Sequence, residues 1–197
     1  MQNRAVTTVA LHPDAPSLAR TVRFVESLGG PLIVVSAAHA PAWNGTCDAA
    51  GNVIFGTAPC DYDRACAAND GIIDVDAGKA LVLATPDTSA FVRRERGALI
   101  VRWVGADDAE TLISAALALG NDDFDTEIGV LAHTGGELWL FDSTAHGKTL
   151  ASDARAAVTL AAGDYVVRMC TEWQGAVTGS DGAAHEVMVQ VFQLTKA

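Results

Sequence analysis

The sequence predicts an α+β fold that is mainly β, with antiparallel sheets forming two duplicated β lobes and one clear helix at Asp107–Leu119. Three observations predict it. Apolar residues gather in short runs rich in Val, Ile and Leu and bounded by Gly, Pro or Asp, the length and punctuation of strands. One stretch alone combines a capping signal with helical spacing. The block Ile72–Leu83 followed by GALIVRW (Gly97–Trp103) also parallels Val130–Phe141 followed by GDYVVRM (Gly163–Met169). In that parallel Gly78-Lys79 matches Gly136-Glu137 and Arg102 matches Arg168. The expected organisation is an extension over residues 1–21, an α+β lobe over 22–120 and a second β lobe over 121–197, packed as one globular unit.

Taken in order, the extension holds only a short apolar run, Ala5–Leu11, ending at His12-Pro13 without a small-residue cleavage site, and so does not read as a signal peptide. Phe24–Val35 (FVESLGGPLIVV) is a turn leading into a buried strand. Gly29 supplies a positive φ, Pro31 holds Gly30 extended, and Leu32–Val35 is branched core material. Ser36–Gly56 is a loop or short helical turn anchored by Trp43. Asp61–Cys66 (DYDRAC) is a helical turn with Asp61 and Arg64 paired on the surface over a buried Tyr62/Cys66 pair. Gly71–Leu83 is a hairpin turning at Asp76-Ala77-Gly78, and Pro86 follows its second strand. Arg93, Arg94 and Arg96 read as a solvated turn before the strand Leu99–Val104. In the helix, Asp107 is the expected N-cap, Glu110 the third residue of a capping box, and Gly120 the stop. Beyond it come a hairpin over Val130–Phe141, a strand at Tyr165–Cys170, a flexible loop at Gln174–Ala184 and a last strand at Val187–Leu194.

Composition narrows the function. With 24 Asp and Glu against 13 Lys and Arg, the formal net charge is -11. Phosphate-rich partners are held by clustered cations, and Lys79, Lys148 and Lys196 are the whole lysine complement, so nucleic acid and anionic membranes are poor partners. No apolar run reaches membrane-spanning length, and a basic protein is the natural complement. The expected compartment is the cytoplasm, where Cys47, Cys60, Cys66 and Cys170 stay reduced, although three of them sit close enough in sequence to leave a local disulfide open.

The search for chemistry yields no catalytic residue, metal or cofactor. Cys47, Cys60 and Cys66 with His39 lack the paired spacing of a structural zinc site. Asn121, Asp123 and Asp125 imitate a calcium loop, but Thr126 replaces its glycine and Ala132 its terminal glutamate. Two alternatives stay open: a β-sandwich that binds a small ligand or sugar through Trp43, Trp139 or Trp173, and a cysteine or metal-dependent enzyme built on Cys60 or Cys66 beside a histidine and a carboxylate. The remaining signal is charge. Asp107, Asp108, Glu110, Asp122, Asp123, Asp125 and Glu127 bracket both ends of one helix, a candidate docking surface for a basic partner.

The corner Gly29-Gly30-Pro31, the stretch Asp61, Tyr62, Asp63, Arg64 and Cys66, the run Ile72–Leu83 and the strand carrying Arg102 and Trp103 together resemble the immunity protein 21 family, over roughly Val22–Ala116. The quoted motif residues look structural. The resemblance implies a non-enzymatic protein of bacterial polymorphic toxin systems that neutralises a cognate toxin by stoichiometric binding.

Overall fold

The structure, a computed structural model, describes residues 7–197. Its elements in chain order are β1 (Thr7–Ala10), α1 (Ala15–Thr21), β2 (Phe24–Val25), β3 (Leu32–Ser36), α2 (Asp61–Ala68), β4 (Gly71–Val75), β5 (Gly78–Leu83), β6 (Ser89–Arg94) and β7 (Gly97–Gly105). They continue with α3 (Ala109–Ala118), β8 (Thr126–His133), β9 (Gly136–Asp142), β10 (Arg155–Leu160), β11 (Gly163–Thr178) and β12 (Ala184–Lys196). The larger sheet runs β1-β11-β12-β7-β6-β2, and the smaller runs β10-β9-β3-β5-β4. Two strands share the outer edge of β11. β1 pairs parallel with Gly175–Thr178, and β8 pairs antiparallel with Gly163–Met169. The mainly β, α+β expectation is met.

Both sheets are covered on both faces, which explains why so many strands read as unbroken apolar runs. Leu32 and Val34 of β3 face Phe91, Ile100 and Phe192 across the space between the sheets. Ile33 and Val35, on the other side of the same strand, pack with Trp43, Ala65 of α2 and Phe141. The outer face of the larger sheet is covered in turn by α3 and α1, with Leu112 and Ile113 against Leu99, Val101, Val189 and Val191. The result is four layers, with α1 and α3 outside one sheet and α2 with its preceding loop outside the other.

The Gly-Gly-Pro corner is built as expected. Gly29 has a φ of 107°, and β3 is buried throughout. Ser27 stitches the turn, its hydroxyl donating to Gly30 O at 2.6 Å and accepting from Gly29 N and Gly30 N at 3.0 Å. The end of β9 then clamps it. Leu28 N donates to Asp142 Oδ2 at 2.6 Å, and Ser143 Oγ donates to Pro31 O at 2.6 Å. Trp43, fully buried, donates Nε1 to Ser143 O at 2.9 Å, so the expected aromatic anchor holds the loop to the same point.

The duplicated lobes are not found. In the first segment β4 pairs with β5 and β6 with β7, two hairpins in two sheets. In the second, Val130–Phe141 is no hairpin. β8 pairs with β11 in the larger sheet and β9 with β10 in the smaller. Gly163↔His133 and Leu160↔Gly136 belong to one continuous register, so β8–β9 and β10–β11 form a single antiparallel ribbon folded over a corner of the sandwich. Gly135 and Gly136, at φ 92° and 91°, take the strand round that corner.

Four smaller expectations also change. Gln174–Ala184 is largely strand, since β11 runs to Thr178 and only Gly179–Ala183 turns. Residues 7–21 of the expected extension form β1 and α1, while its first six residues lie outside the described ones. Arg93 and Arg94 belong to β6 rather than to a solvated turn. Arg94 Nη2 donates to Leu117 O at 3.2 Å and so satisfies the C-terminal end of α3. The Tyr62/Cys66 pair is not buried, because Cys66 is exposed.

Candidate functional site

The candidate surface is organised by α3. Its N-cap is Asp108 rather than Asp107, one residue later than the capping-box reading places it. Asp108 has extended backbone and its Oδ1 accepts from Thr111 N at 2.8 Å. Asp107 is drawn elsewhere, with Oδ2 3.2 Å from His185 Nδ1, and Asp181 Oδ1 lies 3.4 Å from the other ring nitrogen. Two adjacent aspartates look alike in sequence; the histidine at the start of β12 separates their roles. His185 consequently has a raised pKa, from its bonds to Asp107 and then Asp181. Asp181 is held below the usual carboxylate range by the Ala183 N–H and by His185.

At the other end of the helix, Asp123 Oδ2 accepts from Gly120 N at 2.7 Å, closing a short turn after Leu119. Asp122, Asp123 and Asp125 are exposed around buried Phe124. Cys170, beneath them, has its thiol pushed up to about 11 by burial, with the Asp123 and Asp125 charges adding to the effect. Glu127 reaches Arg168 at 4.0 Å. A ten-residue α3 spans about 15 Å, so Asp107 and Asp108 form one acidic pole and Asp122, Asp123 and Asp125 the other. Among the described residues the ion pairs of these seven side chains are those with His185 and Arg168.

The Gly-Gly-Pro corner and the Asp61–Cys66 stretch, two of the segments carrying the resemblance, meet in space on the opposite side of the sandwich. Tyr62 lies against Gly30 so closely that a Cβ there would fall 2.4 Å from the Tyr62 hydroxyl. Asp61 accepts from Arg64 Nη1 at 2.7 Å and from Asn44 N at 2.8 Å, and Asp63 accepts from Cys60 N at 2.9 Å at the start of α2. Phe55 packs edge-on to Tyr62 with ring centroids 5.3 Å apart. Leu28, Val53 and Phe55 in these segments are exposed large apolar residues, a feature the sequence reading missed.

Arg102 is the side chain that ties the two sheets together. It is fully buried on β7, with Asp87 at 3.4 Å and Asp70 at 3.7 Å, Gln190 Oε1 at 2.6 Å and the Thr85 carbonyl as a further acceptor. Burial lowers its pKa, and the two aspartates oppose that shift. Trp103, its neighbour, stacks edge-on to Phe24 at 5.2 Å. These residues hold strands together and are not collected at a cleft.

The profile of the family described as immunity protein 21 matches residues 23–178. The chain belongs to that family. The match extends well beyond the part carrying the sequence resemblance and takes in α3, both acidic poles and all of β11. No curated protein and no solved structure matches the chain. The three tryptophans of the ligand-binding alternative do not converge. Trp43 and Trp139 pack outside the smaller sheet and Trp173 outside the larger. The four cysteines are free thiols, and among the described residues no group of three or more His, Cys, Asp or Glu is placed to hold a metal ion. No helix among the described residues is long and apolar enough to cross a membrane.

Proposed function

We propose that this protein neutralises a cognate bacterial toxin by stoichiometric binding in the cytoplasm, with a basic surface of the toxin docking on the carboxylates around α3. Family membership supports the toxin partner. The observation that carries the surface is the pair of acidic poles at the ends of α3, where exposed carboxylates outnumber the cations that meet them. Complementary fields of this kind raise association rates and select partners, and they require no reacting group.

The test is association kinetics with the toxin encoded beside this protein, at low and high salt, for the wild type and for Asp107→Lys, Asp122→Lys and Asp125→Lys combined. Asp108 is left in place because it caps α3. The expected outcome is an on-rate that falls with salt and drops about tenfold or more on charge reversal, with the melting temperature little changed. Binding indifferent to salt and reversal but lost in Phe55→Asp would move the interface to the apolar segments beside Tyr62. Failure of the wild type to bind or protect would end the immunity reading.

A further inference from the structure

In a chain of net charge -11, three guanidinium groups share one cleft. It has a volume of about 610 Å³ and lies between the end of α1, β6 and β10, with Arg23, Arg93 and Arg155 on its walls over Val22, Phe91 and Val158. Each arginine is fixed by a main-chain carbonyl. Arg23 Nη1 donates to Asp153 O at 3.0 Å, Arg155 Nη1 donates to Leu150 O at 3.1 Å, and Arg93 Nη1 donates to Thr159 O. Arg155 also lies 3.8 Å over the Trp139 ring. A guanidinium has five N–H donors, so each keeps several after this anchoring and has little freedom left to lose on binding. The arginine ion pairs among the described residues are made by Arg64, Arg102 and Arg168, not by these three. Glu137, the one carboxylate on the wall, accepts instead from Trp139 Nε1 at 2.8 Å.

The same cleft exposes a strand edge. Among the described residues β10 pairs with β9 alone, so its opposite side forms no ladder with another strand, and β6 meets it through the Arg93 side chain. Thr159 O, which takes Arg93, marks that side, and by the two-residue period of a strand Ala157 presents its N–H and C=O there too. An anionic small molecule would use the arginines and leave this edge unused. A polypeptide uses both.

We propose that the cleft receives an extended, carboxylate-bearing segment of a partner protein, which adds as a strand to the free edge of β10 and sets its acidic side chains against Arg23, Arg93 and Arg155. Main-chain pairing then supplies affinity and the arginines select for acidic sequence. The proposal does not depend on the toxin reading, whose surface has the opposite charge.

The test is NMR titration of the full-length ¹⁵N-labelled chain with three probes: an acetylated six-residue peptide of alternating Glu and Val, its Lys and Val counterpart, and inorganic phosphate. The acidic peptide should saturably shift the Ala157 and Thr159 amides together with the three arginine Nε–H signals, and the basic peptide should not. Arg23→Glu with Arg155→Glu should weaken the acidic peptide at least tenfold. Ala157→Pro should abolish peptide binding while leaving the phosphate response, since an edge strand tolerates proline. An acidic peptide N-methylated at alternate residues makes the same test on the wild-type chain, should that variant not fold. Absence of binding, equal binding of both peptides, or acidic-peptide shifts confined to the arginines as for phosphate would overturn strand addition.

Discussion

Two stretches of nearly the same sequence pattern, Ile72–Trp103 and Val130–Met169, end in different places. The first makes two local hairpins, one in each sheet, joined by a crossover at Ala84–Thr88. The second makes one long ribbon that bends from sheet to sheet. The turn decides. Val75 pairs with Gly78 across Asp76-Ala77, a two-residue connection with Asp76 at φ 53°, which returns the chain beside itself. His133-Thr134-Gly135-Gly136 contains two consecutive positive-φ glycines, which redirect the chain into the other sheet, where β9 finds β3 and β10. Strand pattern fixes which residues are buried; pairing depends on turn geometry.

The sharpest way to break the comparison is the matched arginine pair. Arg102 is fully buried among Asp70, Asp87 and Gln190, whereas Arg168 is half exposed with Glu127 at 4.0 Å. Removing one partner of a buried charge network typically costs about 3–5 kcal/mol, and an exposed pair under about 1 kcal/mol. Arg102→Ala should therefore lower the melting temperature by on the order of 10 °C, while Arg168→Ala should barely move it. Similar losses for both, measured by thermal unfolding, would mean that the two arginines share a role after all.

The corner glycines come next. A Cβ on Gly135 would lie 3.3 Å from the Ala162 side chain, and its φ of 92° disfavours any branched residue. Gly135→Val should cost roughly 1–3 kcal/mol. Asp76→Gly in the hairpin should stay within about 0.5 kcal/mol, because relief of a positive φ offsets the freedom gained by the unfolded chain. Equal effects in denaturant unfolding would show that the corner is not the constrained turn.

This contrast explains what the sequence could reveal. Leu32–Val35, the Gly29 turn, the β4–β5 hairpin and α3 were legible because each is specified by neighbours in sequence: a proline, a glycine, a cap, a helical stripe. The ribbon was not, because nothing local distinguishes a glycine pair that closes a hairpin from one that turns a corner. The two poles of the candidate surface were visible as charge, but the division of labour between Asp107 and Asp108 needed His185, far along the chain. The arginine cleft was hidden for the same reason. Arg23, Arg93 and Arg155 are scattered in sequence and meet only because β10 lies beside β6.

The smallest expected effect belongs to the arm that the second stretch has and the first lacks. β7 ends two residues after Trp103, whereas β11 runs on to Thr178 and turns into β12, whose second residue is His185. There His185 lies between Asp107 and Asp181, fastening the hairpin tip to the segment leading into α3. Its pKa is raised in the folded state above 6.5, so the protonated form is favoured by folding. That contribution is complete below the unfolded value and is lost as pH rises through the raised one; Asp181, lowered from 3.8, titrates far below this window. The wild type should therefore melt higher than His185→Gln at about pH 5.5, with the gap closing towards about pH 8.5. Because the Asp107 and Asp181 carboxylates are exposed, added salt should also shrink the gap. The check is thermal unfolding of both proteins across pH, with the His185 ring titrated by NMR. A gap that stays constant, or a ring that titrates at or below 6.5, would show that the tip is held by the β11–β12 ladder alone and that the longer arm has no electrostatic tie to α3.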